Sequence, residues 1–181
     1  MGIVLVAKIR KQNRSQTIAE ASSYANKIKA DKKIPVIQTN IFLENRESAY
    51  LEESVQMLET RAVRKSRGGF GGLRIARGIT VGRYSGTSES HQEWRAIDSG
   101  KLTITNKRIV FDGQDGNKII PISKIISVVT RDKDIQLSIA DKAKDVCFSV
   151  GNGYIWSLVI NIVKKTNGGE LNDVDLNVEF K

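Results

Sequence analysis

Apolar and polar positions alternate through most of the middle of this chain, and the alternation changes period only near the two ends. Ala49, Leu51, Val55 and Met57 fall on odd positions, with Glu53 interrupting. Leu73, Ile75, Ile79 and Val81 repeat the pattern, with Arg74, Ala76, Gly78, Thr80 and Gly82 on the opposite face. Leu102 and Ile104 continue it, Asn106-Lys107 turns the chain, and Ile109, Val110 and Phe111 return. Further strands read at 117–121, 124–130, 134–140 and 144–150, and Ile34 to Leu43 are extended-type residues. Gly, Asp and Asn punctuate these runs at Gly86, Asp98-Ser99-Gly100, Asp112-Gly113, Asp115-Gly116, Asp132-Lys133 and Asp141. Short strands at such spacing predict a meandering antiparallel sheet, closed or nearly closed.

Two helical stretches frame the sheet. Thr17 and Glu20 form a capping-box pair, and Ile18, Ala21, Ala25 and Ile28 follow at helical spacing, which predicts a helix over 17–32 with a narrow stripe. Lys32, Lys33 and Pro35 end it. Ile155, Trp156, Leu158, Val159, Ile162 and Val163 make a broader stripe on a second helix. Asn152 is its N-cap, Lys164 and Lys165 suit its C-terminal dipole, and Gly168 ends it. Val174, Leu176, Val178 and Phe180 then alternate with Asp173, Asp175, Asn177 and Glu179, a strand with one apolar and one acidic face. It suits the sheet's edge, a second copy of the chain, or residues 3–7. The organisation expected is a basic arm and helix over 1–33, a β-rich domain over 34–167 and an edge strand over 168–181.

Composition excludes several classes. At 181 residues, 40% hydrophobic and 27% charged, the chain can bury a core without metals or disulfides. One cysteine, Cys147, rules out an internal disulfide, and one histidine, His91, beside it argues against Cys/His zinc sites and Cys–His or Ser–His catalysis. His91 reads as an exposed loop residue in the Ser/Glu-rich stretch 85–93. Cys147 reads as packing in a strand, and Trp94 and Trp156 as core aromatics. Asp112 to Gly116 lacks the distal glutamate of a calcium loop. No carboxylate pair has a setting for acid–base work, so no cofactor, metal or enzymatic activity is expected. The apolar run Gly2 to Ala7 is too short to span a membrane and reads as a short strand or extended arm, or as the stump of a longer hydrophobic segment.

The net charge of +9 is concentrated. Residues 1–33 carry eight Lys/Arg and two acids; residues 61–84 carry seven Arg/Lys and no acid. Residues 34–60 and 170–181 are net acidic. Basic blocks of this kind attract phosphate-bearing surfaces, lipid or nucleic acid, with a salt-sensitive field. Within the second block, Arg64-Lys65-Ser66-Arg67-Gly68-Gly69-Phe70-Gly71-Gly72 has four glycines in five residues. It reads as a mobile loop whose amides and guanidinium groups hold a phosphate. It lacks the Gly-Lys-[Ser/Thr] of a P-loop. Phe70 at its tip could insert among headgroups.

Gly100-Lys101-Leu102-Thr103-Ile104-Thr105-Asn106-Lys107-Arg108-Ile109-Val110-Phe111-Asp112-Gly113 resembles the G-x-L-x-x-T-N-x-R-hydrophobic-x-F-x-G hairpin of bacterial pleckstrin-homology-like and GRAM-like domains. Ile120-Pro121-Ile122-Ser123-Lys124-Ile125 is similar to their next strand, Leu73 to Ile79 to a hydrophobic-R-I-A-K-G-V strand of a subset of bacterial proteins, and Ile34 to Asn40 to their lead-in. Asp134-Ile135 stands where such proteins carry Asp-Gly. The resemblance covers about residues 34–166. It implies a mainly β fold with helices: a pleckstrin-homology-like antiparallel barrel or sandwich capped by the C-terminal amphipathic helix and preceded by the N-terminal one. In that hairpin Thr103, Thr105, Asn106 and Arg108 read as structural. The resemblance also implies a non-catalytic binding module, cytoplasmic and peripheral at the inner membrane face, or docked on a protein partner. The ligand-binding residues expected are Arg64, Lys65, Arg67, Arg74 and Arg77, with Phe70 as the membrane or partner contact. Lys65 with Arg74 and Arg77 is one residue out of step with the K-x(n)-R-x-[RK] pattern of lipid-binding relatives. The alternatives are nucleic-acid binding by the same basic face and a homo-oligomerising scaffold using 173–180.

Overall fold

The computed structural model describes residues 2–76 and 79–166, with side chains for 12–61 and 93–166. The 173–180 strand expected from the sequence lies outside the described residues.

A long helix, α1 (Gly2–Asp31), is followed by strands β1 (Ala49–Ala76), β2 (Ile79–Thr105), β3 (Arg108–Gly113), β4 (Asn117–Pro121), β5 (Ile125–Arg131), β6 (Asp134–Ile139) and β7 (Val146–Ser149), then helix α2 (Gly153–Thr166). A single 3-10 turn, Ile122–Lys124, joins β4 to β5. The strands form one antiparallel sheet in the order β4-β3-β2-β1-β7-β6-β5. It is not closed by pairing between β4 and β5. Its two edges are consecutive in the chain, and α2 packs against β5, β6 and the 3-10 turn between those edges. The architecture is the expected mainly β one, an antiparallel sheet of the kind the alternation predicted, with an N-terminal and a C-terminal helix.

Two compact units divide the chain. One comprises residues 1–58 and 96–181; the other is residues 59–95. β1 and β2 belong to both.

In the first unit the inward positions are those of the alternation. Val55 and Met57 of β1, Leu102 and Ile104 of β2, Ile109 and Phe111 of β3, and Ile135, Leu137 and Ile139 of β6 are buried. Phe111 and Phe148 meet as tilted rings with centroids 5.3 Å apart. Leu102 pairs with Phe111 and Ile104 with Ile109, so the Asn106-Lys107 turn is where the turn chemistry predicted it. β1 closes onto β7 through Gln56–Ser149, Met57–Phe148 and Leu58–Cys147.

α2 is buried beyond its predicted stripe, Ile160 included, because it lies between the sheet and α1. α1 offers it Ala21, Ala25 and Ile28, two of them small, which lets the helices approach closely. Asn152 caps α2 as predicted: its Oδ1 accepts the Tyr154 and Ile155 amides at 3.1 and 3.3 Å. Its Nδ2 donates to the Thr17 carbonyl at 2.9 Å and to Glu20 Oε2 at 3.2 Å, tying the cap to α1.

The N-terminal expectation is corrected. Residues 2–7 are helical, not a strand or extended arm, and the helix begins at Gly2 rather than Thr17. Between residues 3 and 34 there is no glycine or proline, and Lys8, Arg10, Lys11, Gln12, Arg14 and Gln16 are good helix formers, so nothing breaks the helix. Thr17 and Glu20 therefore form no capping box. The Thr17 hydroxyl donates back to the Asn13 and Arg14 carbonyls, and Glu20 serves Asn152. Lys32, at φ 50°, ends the helix in the left-handed region. The extended-type residues 34–43 form no strand; they join the sheet through one backbone bridge, Ile37 to Ala49, and through the side chains of Thr39, which donates to Glu52, and Arg108, which donates to the Phe42 carbonyl.

Candidate functional site

Residues 59–95 are the candidate. Among the described residues their backbone is strand, 59–76 in β1 and 79–95 in β2. Eight Arg/Lys and three acids fall in this ribbon, with seven of the chain's fifteen glycines.

The expected ligand residues fall here as follows. Arg64, Lys65, Arg67 and Arg74, with Phe70, all lie in β1. Arg77 lies outside the described residues. The side chains of residues 62–92 are likewise outside the described set. The glycine-rich segment is corrected from a loop to strand: Gly68 to Gly72 continue β1 without a break. A ladder needs only backbone groups, so glycines are tolerated in it although they weaken it. The Ser/Glu-rich stretch 85–93 is also strand, not loop, so His91 sits in β2. Where ribbon side chains are described, at its root, Arg61 stands 3.9 Å from Glu59 and Arg95 3.9 Å from Glu93, both exposed. Exposed pairs at that distance hold little energy. Trp94 is 36% exposed and not the core aromatic the sequence suggested.

In the first unit one group of charged side chains, around Glu47 and Glu52, is committed to structure. Segment 37–48 is strapped over the outer side of β2. Glu47, with its side chain fully buried, receives Arg108 Nε and Nη2 at 2.9 and 3.0 Å, the Thr105 hydroxyl at 2.7 Å and the Glu44 amide at 2.7 Å. Burial pushes its pKa up, but those hydrogen bonds and the guanidinium charge outweigh it and hold the carboxyl below its ordinary value. Asn106 Oδ1 accepts the Ser48 amide and its Nδ2 donates to the Arg46 carbonyl. Glu52 accepts from Lys101, Thr103 and Thr39, which also lowers its pKa, the Thr39 hydroxyl foremost. The strap thus covers Thr103 and Thr105, which are buried on the outer face. The Thr-Asn-x-Arg motif is a clamp on this strap, as its structural reading expected.

Glu53, the residue that interrupts the alternation of β1, accepts from Trp156 Nε1 at 2.9 Å and from the Gly151 amide at 2.6 Å. It latches β1 to the start of α2. The interruption in the pattern was the one sequence signal for that role. Glu53 also lines a concavity of about 820 Å³ with Gln56, Lys101, Asp112, Lys133 and Ser149. Both signs of charge meet there; Glu53 is taken up by Trp156 and Gly151, and Lys101 by Glu52, so the concavity does not select an anion.

Cys147 is buried, and burial pushes its thiol up to about 11. Among the described residues no three His, Cys, Asp or Glu side chains are placed to hold a metal ion. Among them, too, no helix is long and apolar enough to cross a membrane. No protein-family model, curated protein or solved structure matches the chain.

Proposed function

We propose that the chain is a non-catalytic, pleckstrin-homology-like binding module that docks on anionic membrane surfaces through the ribbon of residues 59–95. The observation that carries this is the ribbon itself: two strands forming their own compact unit, with eight cations against three acids. A two-stranded hairpin has no second layer and is marginal alone in water. The run Leu73, Ile75, Ile79 and Val81 therefore needs cover from outside the ribbon. A lipid interface offers apolar depth and negative charge together. In this reading Arg64, Lys65, Arg67, Arg74 and Arg77 meet the headgroups, each contributing about 1 kcal/mol near the surface, and Phe70 inserts among them. The seven-stranded order followed by α2 supports the pleckstrin-homology-like assignment.

Nucleic acid is the second reading, favoured by the ribbon form, since a two-stranded β-ribbon fits the major groove. It gives the apolar run no partner.

Co-sedimentation with phosphatidylcholine vesicles, with and without phosphatidylserine, decides between them. Binding is expected only with phosphatidylserine at about 0.01 M salt, where the Debye length is roughly 30 Å, and should vanish near 1 M, where it is roughly 3 Å. The combined R64E, K65E and R67E variant should not bind. Absence of binding at the lower salt overturns the proposal, and capture of duplex DNA in its place selects the second reading.

A further inference from the structure

β5 is an edge of the sheet: among the described residues it pairs with β6 alone. Its exposed residues include Ile126 and Val129, at 67% and 52%. Beyond the irregularity between Ile125 and Ser127 its register with β6 is regular as far as Arg131. An edge with exposed apolar residues and a regular backbone is a template for another strand.

α2 runs back along this edge. At its start the Gly153 amide donates to the Asp132 carbonyl at 3.0 Å, beyond the end of β5. At its other end Lys164 Nζ donates to the carbonyl of Ile125, the first residue of β5. The chain therefore leaves α2 at Thr166 beside the beginning of β5, and residues 167–181 follow.

We propose that residues 173–180 of the same chain add to β5 as an eighth strand, parallel to it. Three observations converge. The segment alternates strictly over eight residues, a length of about 26 Å against about 23 Å for the seven of β5. The direction follows from the exit point. A parallel strand asks the six residues 167–172, which include Gly168-Gly169, only to reverse the chain at the Ile125 end. An antiparallel strand would need them to travel the length of β5, about 23 Å, which is at or beyond the full extension of six residues. Charge agrees: residues 167–181 carry four acids and one lysine, and Arg131, Lys164 and Lys165 lie on the two elements bordering the edge. Val174, Leu176 and Val178 then stand beside Ile126 and Val129 as cross-strand neighbours. A six-residue tether sets an effective concentration near the millimolar range, so the chain's own tail outcompetes that of a second copy at micromolar protein. This strand is independent of the membrane reading, and either can fail alone.

The test is oxidative cross-linking of the full-length chain at micromolar concentration. Cys147→Ala removes the native thiol, and Val129→Cys is combined in turn with Val174→Cys, Leu176→Cys and Val178→Cys. A disulfide within one chain is expected for at least one pair. A disulfide that joins two chains overturns the proposal in favour of strand exchange between copies, and no disulfide in any pair overturns it outright. Because such variants can perturb folding, hydrogen exchange supplies a second measurement, comparing the unsubstituted chain with one ending at Asn167. Amides of residues 125–131 should exchange at least tenfold faster without the tail, while those of 108–121 stay unchanged. Equal exchange at 125–131 overturns the proposal.

Discussion

Arg108→Ala should be among the most damaging single changes to the described part of the chain. Glu47 has a fully buried side chain, and Arg108, 19% exposed, supplies two of its hydrogen bonds and its only charge compensation among the described contacts. Truncation leaves a buried carboxylate with the Thr105 hydroxyl and the Glu44 amide. Breaking a buried pair from one side costs about 3–5 kcal/mol. The partial exposure of Arg108 admits water and puts the expectation near the lower end, about 3 kcal/mol, or a melting shift of about 6–12 °C for a chain of this size. The pH dependence follows from the lowered pKa of Glu47. A group whose folded pKa is depressed adds stability above its unfolded pKa and loses it as pH falls through the folded value. The gap between wild type and variant should therefore be full at pH 7 and shrink in acid, as pH falls through and below the ordinary carboxylate range and Glu47 takes up a proton. Urea unfolding at neutral and at acid pH measures it, and a double-mutant cycle with Glu47→Gln isolates the pair. A cost below about 1 kcal/mol, typical of a surface ion pair, or one that does not diminish in acid, would refute the reasoning.

Asn152→Ala removes the cap of α2 and its two bonds to α1 together, so urea unfolding should show a loss of about 2 kcal/mol, the upper end for a cap. Trp156→Phe keeps most of the apolar contact but deletes the donor to Glu53; a loss of about 1–2 kcal/mol is expected, and no loss would show that the latch is idle. Cys147, with its pKa raised to about 11, should react with iodoacetamide at pH 8 far more slowly in the folded chain than in urea, since the thiolate is the reacting form. Equal labelling rates would contradict its burial.

Local chemistry made the β2–β3 hairpin and α2 readable in advance. Asn106 tolerates the turn, and the apolar residues on either side obey the strand period, so neighbours in sequence sufficed. The role of Arg108 was half legible: its motif marked it as structural, but its partner Glu47 is 61 residues away, and no periodicity links them. Gly68 to Gly72 misled because glycine's weak strand preference is overridden when an opposing strand pairs its backbone. Ile3 to Val6 misled in the opposite sense, since β-branched residues favour strands by only tenths of a kcal/mol and a helix continuing from residue 8 onward absorbs them. Trp94 was read from residue type alone, which says nothing of whether a second layer covers it. The cations of the ribbon were found from charge density, a property that survives ignorance of the fold.

Residues 59–95 are inserted between Leu58 and Ala96, and Leu58 itself pairs with Cys147 across β1 and β7. Gln56 and Ser149 are 93 positions apart, 37 of them in the ribbon. Even if those 37 were slack chain, closing the larger loop would cost only about 0.4 kcal/mol more, because the entropy grows with the logarithm of length. The length of this inserted segment is therefore nearly uncoupled from the entropy of closing β1 onto β7. Insertions and deletions in it leave the pairing of β1 with β7 almost untouched.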